Sequence, residues 1–193
     1  MLKKVGLAVA ALVAAWMAVV ALQPSSFHVE RSTTISAPAE VVFAQINDFH
    51  AWGAWSPWDH LDPNQQRTFT GSPSGQGAVY DWNGNDKVGQ GRMTITRSKP
   101  SEAIEIKLEF IKPWAAVNQT KFVLKADKGT TVTWSLDGNF DFMGKAMSLF
   151  MSMDKQVGGD FERGLAQLKQ VVEKRAAEAP VAPPVASPPP PPT

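Results

Sequence analysis

The sequence predicts an α+β domain in which a curved antiparallel sheet wraps around one long C-terminal helix. Two patterns carry that expectation. Across residues 67–136, apolar and polar residues alternate at a period of two, in short runs separated by turn-forming residues. Across residues 143–174, apolar residues instead recur at steps of three and four. A run of about six strands followed by one amphipathic helix has a simple packing solution, in which the apolar face of the sheet closes over the apolar stripe of the helix.

The elements follow in order. Residues 27–35 read as a first strand of mixed alternation. A short helix then begins at Ala37-Pro38-Ala39-Glu40, with Ser36 as its cap and Pro38 in its first turn, and ends at Asn47-Asp48. Gly53 and Pro57 interrupt residues 49–58, which leaves at best a short helix and a loop. The strands come next. Ala78, Tyr80 and Trp82 share one face; Met93 and Ile95 oppose Arg92, Thr94 and Thr96. Ile104, Ile106, Leu108 and Phe110 make the clearest apolar face, followed by Phe122 with Leu124 and by Val132, Trp134 and Leu136. Gly84-Asn85, Lys99-Pro100, Lys112-Pro113 and Asp127-Lys128-Gly129 supply turns. The helical stripe is Met147, Phe150, Met151, Val157, Phe161, Leu165, Leu168 and Val172. Gly158-Gly159 within it costs roughly 1 kcal/mol per residue relative to alanine, so it marks a bend or a close approach.

The domain occupies residues 25–175, and the two ends differ in kind. Residues 5–22 are 18 apolar residues behind Lys3 and Lys4, about 27 Å of helix at 1.5 Å per residue. Residues 1–24 are therefore a membrane anchor or a cleaved secretory signal, and the lysines favour a cytoplasmic N-terminus with the domain on the extracytoplasmic side. If the segment is cleaved, the domain is exported and soluble. Residues 176–193 are rich in Ala, Pro and Val, a composition that predicts a disordered, extended tail acting as a spacer. The net charge of +1 gives no field that would favour nucleic acid, and the absence of cysteine removes disulfides and thiolate chemistry.

The run Ile35-Ser36-Ala37-Pro38-Ala39-Glu40-Val41-Val42-Phe43 resembles the opening of the START-related SRPBCC superfamily. The resemblance continues through Ile46-Asn47-Asp48-Phe49, Trp52, Trp55-Ser56-Pro57-Trp58, Gly89-Gln90-Gly91-Arg92-Met93 and Thr130-Thr131-Val132-Thr133-Trp134, and it ends in residues 160–169. It looks like the bacterial polyketide cyclase/dehydrase-like branch and covers residues 27 to about 172. What it implies is a helix-grip fold with a cavity between sheet and helix. It does not imply one activity, because the superfamily spans lipid carriers, hormone binders, chaperone co-factors and cyclases.

The expected ligand-binding wall is Tyr80, Trp82, Met93, Ile95, Phe110, Phe122 and Trp134 from the sheet, facing Met147, Phe150 and Met151 from the helix. Pattern alone fits a filled core equally well. Trp52, Trp55 and Trp58 are expected at the rim of the cavity or as a lid. Asp154, three to four residues from Phe150 and Val157, is expected on or beside the buried stripe, paired with Arg92, Arg97 or Lys155; a helix-boundary aspartate reaching solvent is the other reading. Asp59 beside His60 is a second acid–base candidate. His28, His50 and His60 lack metal-ligand spacing, so neither a metal nor a cofactor is expected.

These features favour a membrane-tethered domain that binds an apolar or amphipathic small molecule, lipid-like or aromatic. The alternative is a cyclase- or dehydratase-type enzyme using Asp154 or Asp59 in the same cavity.

Overall fold

A computed structural model describes residues 2–59, 61–62 and 64–178. Helix α1 (Leu2–Ala21) is 20 residues long and almost wholly unburied, with no polar face after Lys4. By length and composition it can cross a membrane, a test that a secretory signal also passes.

Seven antiparallel strands follow, β1 (Ser26–Ile35), β2 (Gln66–Gly71), β3 (Ala78–Asn83), β4 (Gln90–Lys99), β5 (Ala103–Lys112), β6 (Ala116–Ala126) and β7 (Thr130–Asn139). Their order in the sheet is β1-β7-β6-β5-β4-β3-β2. The first strand thus joins the end of a simple meander, with Ser26 opposite Asn139 and Ile35 opposite Thr130. All the predicted turns fall between strands, and the helix-grip arrangement is the one observed.

Between β1 and β2 lie α2 (Ala39–Asn47) and a 3-10 turn over Phe49–Ala54. The expected Ser36 cap is not made. Pro38 holds the N-cap position without a side-chain bond, and the Ser36 backbone N–H donates instead to Glu173. At the other end of α2, the carbonyls of Gln45 and Ile46 lack partners within the helix. The indole N–H groups of Trp55 and Trp52 bond them at 3.2 and 2.9 Å. These two bonds tie the tryptophan-rich segment to the helix before it.

The predicted C-terminal helix is two helices. Phe142–Ser148 forms α3, capped by Asp141, whose carboxylate accepts from the Gly144 N–H at 2.7 Å. After a break at residues 149–152, α4 runs from Met153 to Glu178. Two features of the sequence explain the break. The apolar stripe misses a step between Met151 and Val157, and Ser148 and Ser152 flank the gap. The Ser148 hydroxyl donates back to the Lys145 carbonyl at 2.8 Å, a local bond that competes with continued helix. The residues of the expected tail from 179 onward lie outside those described.

Helix α4 buries Phe161, Leu165, Leu168 and Val172 against the sheet. Gly158 is a point of close packing, since a Cβ there would overlap the Arg31 guanidinium lying across the helix. The core is tight toward the end of the sheet where β1 finishes, with Ile35, Ile46, Ile95, Ile104, Phe122, Val132, Leu168 and Val172 all fully buried. Toward the other end it is not filled. On β5, Ile104 and Ile106 are sealed while Leu108 and Phe110 are only half-buried.

A cavity between the sheet and the last helix

Leu108 and Phe110 help to line a cavity of about 230 Å³. The sheet also contributes Tyr80, Trp82, Met93, Thr120, Trp134 and Leu136; the helix contributes Val157, Asp160 and Phe161; loops contribute Trp52, Ser56, Trp58, Asp59, Gln65, Lys87 and Val88. Aromatic rings set its back wall. Trp134 stacks on Phe161 at 4.0 Å between centroids and on Phe122 at 4.8 Å, joining sheet to helix. Trp58 meets both Trp134 and Phe161 edge-on. The indole of Trp134 donates to Thr120 Oγ1 at 2.9 Å, and that hydroxyl donates to the Ser135 carbonyl at 2.8 Å, so both of these buried polar groups are paired. Trp82 packs over Gly91, where any side chain would overlap its ring, and it donates to the Val88 carbonyl at 3.0 Å.

One polar cluster in the lining is built around Asp59. The Asp59 carboxylate, almost completely buried, lies 3.2 Å from an Arg67 guanidinium nitrogen, and Arg67 also donates to the Asp59 carbonyl at 3.0 Å. Gln65 Nε2 donates to the Tyr80 hydroxyl at 3.3 Å. Burial pushes the Tyr80 phenol well above its ordinary pKa; the negative charge of Asp59 adds to this and Arg67 partly opposes it. Asp160, also in the lining, is ion-paired with Arg163.

Of the residues expected to bind ligand, Trp52, Trp58, Tyr80, Trp82, Met93, Phe110 and Trp134 line this cavity. Trp55, Ile95 and Phe122 are fully buried and lie outside its lining, in the packed part of the core. Met147, Phe150 and Met151 do not face the sheet at all. The break before α4 turns them outward, and Phe150 is 83% exposed. Asp154 is likewise outside the cavity, with its side chain more than half exposed. Its partner is Arg31, not Arg92, Arg97 or Lys155, through two bonds of 2.8 and 3.1 Å, and Arg31 also holds Glu162 at 2.8 Å. Arg31 holds the Asp154 carboxyl below the usual range, so this pair helps stability above the ordinary carboxylate pKa and fades as pH falls through the lowered value. The observed position is that of a solvent-reaching helix-boundary aspartate.

Sequence reasoning did not select Ser56, Gln65, Lys87, Val88, Leu108, Thr120, Leu136, Val157, Asp160 or Phe161 as site residues. Leu108, Leu136, Val157 and Phe161 were on the inward faces already read from periodicity. Gln65, Lys87 and Val88 sit in loops, where no period points inward. Among the described residues no group of three His, Asp or Glu side chains is placed to hold a metal.

A seven-stranded cup gripping a C-terminal helix, with an apolar cavity between them, defines a class of ligand-binding and cyclase folds. The chain belongs to the polyketide cyclase/dehydrase and lipid transport family, whose model matches residues 26–173. Among solved structures, a protein from Chromobacterium violaceum is 17% identical, covers 78% of this chain and 99% of its own, and superposes with a TM-score of 0.54. The Aha1 dimer from Colwellia psychrerythraea is 13% identical over 76% of this chain and 96% of its own, with a TM-score of 0.55. The di-domain ARO/CYC StfQ from the steffimycin biosynthetic pathway is 10% identical with a TM-score of 0.57, and the match covers 79% of this chain and 52% of StfQ. At these identities the likeness is one of fold. No curated protein matches the chain.

Proposed function

We propose that this chain is a membrane-tethered binding protein whose cavity takes a small, largely apolar molecule with one polar end. The observation that carries the reading is the division of the lining. Aromatic and aliphatic walls supply area, and the Asp59–Tyr80–Gln65 cluster supplies the few placed polar groups by which such sites orient a ligand. Size narrows the class. At about 230 Å³ the cavity falls just below the range of roughly 300–1,000 Å³ typical of pockets for drug-sized ligands. A one- or two-ring aromatic compound or a short acyl chain suits it better than a whole lipid. Tethering rests on α1, whose 20 residues span about 30 Å, the thickness of a hydrocarbon core. Lys3 and Lys4 favour a cytoplasmic N-terminus, which puts the domain on the extracytoplasmic side.

A second reading rests on Asp59. A buried carboxylate beside an arginine and a phenol, in the wall of an apolar cavity, is where a general base for ring closure or loss of water would stand. The first reading is tested by equilibrium dialysis of 2-naphthol against the full chain in lipid nanodiscs, with empty discs as the blank. Leu108→Trp fills the cavity and is expected to weaken binding at least about tenfold, equivalent to about 1.4 kcal/mol, with the near-UV circular dichroism still that of a folded protein. Equal binding by the folded variant contradicts the first reading. On the second, Asp59→Asn abolishes turnover of a cyclising keto substrate while 2-naphthol binding persists; unchanged turnover removes it.

A further inference from the structure

We infer that the end of the domain next to α1 is itself a membrane-contacting surface, made by α3, the 149–152 turn and the β5–β6 turn, and that its partner is the lipid headgroup layer. The inference rests on the reading of α1 as a membrane anchor and adds a second contact to it.

Position comes first. Ser26 pairs with Asn139, and β6 starts beside the end of β5, so the start of β1, the end of β7 and the β5–β6 turn share one end of the sheet. Only residues 22–25 separate α1 from β1, which keeps that end within roughly 18 Å of the end of α1. Depth follows from direct contact. Trp16 meets Phe142 edge-on with ring centroids 6.3 Å apart, and Lys145 Nζ lies 3.5 Å from the Ala21 carbonyl oxygen. Trp16 lies about 7.5 Å along the helix before Ala21 at 1.5 Å per residue. Phe142 therefore sits level with the last turns of α1, the depth of about 5–10 Å at which interfacial helices rest.

The exposed chemistry matches that depth. Among the described residues after Leu22, ten large apolar side chains are exposed, and eight of them fall on residues 111–117 and 142–151. Trp114 is 73% exposed, Phe150 83% and Met143 64%, values that are costly in water and favourable at a lipid interface. The same end of the sheet carries Trp82, Val88 and Phe110 of the cavity lining. A docked surface would thus bring the cavity wall to the bilayer, giving a membrane-dissolved ligand a short path.

The chain has no cysteine, so single reporters are clean. Full-length Val13→Cys, Trp114→Cys, Phe150→Cys and Lys128→Cys, each carrying an environment-sensitive nitrobenzoxadiazole label, are reconstituted in phosphatidylcholine–phosphatidylglycerol vesicles. All four sites are exposed, and Lys128 lies in the β6–β7 turn at the far end of the sheet. The expected result is quenching of Trp114 and Phe150 labels by headgroup-level nitroxide lipids, with little quenching by aqueous iodide, and the reverse for Lys128. The Val13 label should respond to nitroxides deep in the acyl region. Trp114 and Phe150 labels as open to iodide as Lys128, with Val13 still deep, overturn the surface and leave the anchor. Shielded Trp114 and Phe150 labels with Val13 open to iodide sustain the surface and overturn the anchor; all four open overturns both.

Discussion

Tyr80 is the chain's single tyrosine, so its phenol can be followed alone. Its folded pKa is raised, chiefly by burial, above the ordinary value of about 10. The folded state then holds the proton more tightly than the unfolded state does. Stability is intact below about pH 10 and falls as pH rises through the raised folded value. The expected outcome is little phenolate absorbance from the native protein at about pH 11 and its prompt appearance on adding denaturant. Phenolate rising in the native protein with a midpoint near 10 would place Tyr80 in water. At this scale the sequence was informative where alternation applied. Tyr80, Trp82, Met93 and Trp134 were read inward and line the cavity. It was uninformative for Gln65 and Lys87, whose loop backbone has no repeat from which to infer direction.

At the scale of elements, the pairing of β1 with α4 has a testable role. Lys169 Nζ donates to the Thr34 carbonyl at 2.9 Å, and Glu173 accepts from the Ser36 N–H at 2.8 Å. These side chains occupy backbone groups at and just past the end of the edge strand β1, which would otherwise be a template for another strand. The opposite edge, β2, is short and polar, a different protection against the same hazard. The double variant Lys169→Ala/Glu173→Ala should therefore self-associate with rising concentration in sedimentation velocity, while the native chain in the same detergent does not. Equal sedimentation of the two would show that the edge needs no such cover. The strands and their turns were legible because a half-buried sheet writes its faces into every second residue. The helix break was not, because the steps of three and four run through Phe150 and Met151 as if the helix continued. Only the missed step at Asp154 and the flanking serines record the interruption.

Across the whole molecule, the open question in the sequence was whether the apolar interior is a core or a cavity. Alternation says which side chains point inward, not how much space they enclose. The interior turns out to be divided, with isoleucine, valine and leucine side chains packed together with Phe122 at one end and aromatic rings framing space at the other. Of the expected wall, Tyr80, Trp82, Met93, Phe110 and Trp134 line the cavity while Ile95 and Phe122 are packed away from it, and on the helix side Val157 and Phe161 stand in place of Met147, Phe150 and Met151. That exchange provides a direct test of the binding reading. Met93 lines the cavity, whereas Met143, Met147 and Met151 are exposed outside it. With methyl-labelled methionine in the full chain and 2-naphthol titrated in, the Met93 methyl resonance should shift saturably while those three stay in place. A Met93 resonance that does not move, or shifts confined to the exposed methionines, would contradict a ligand-binding cavity.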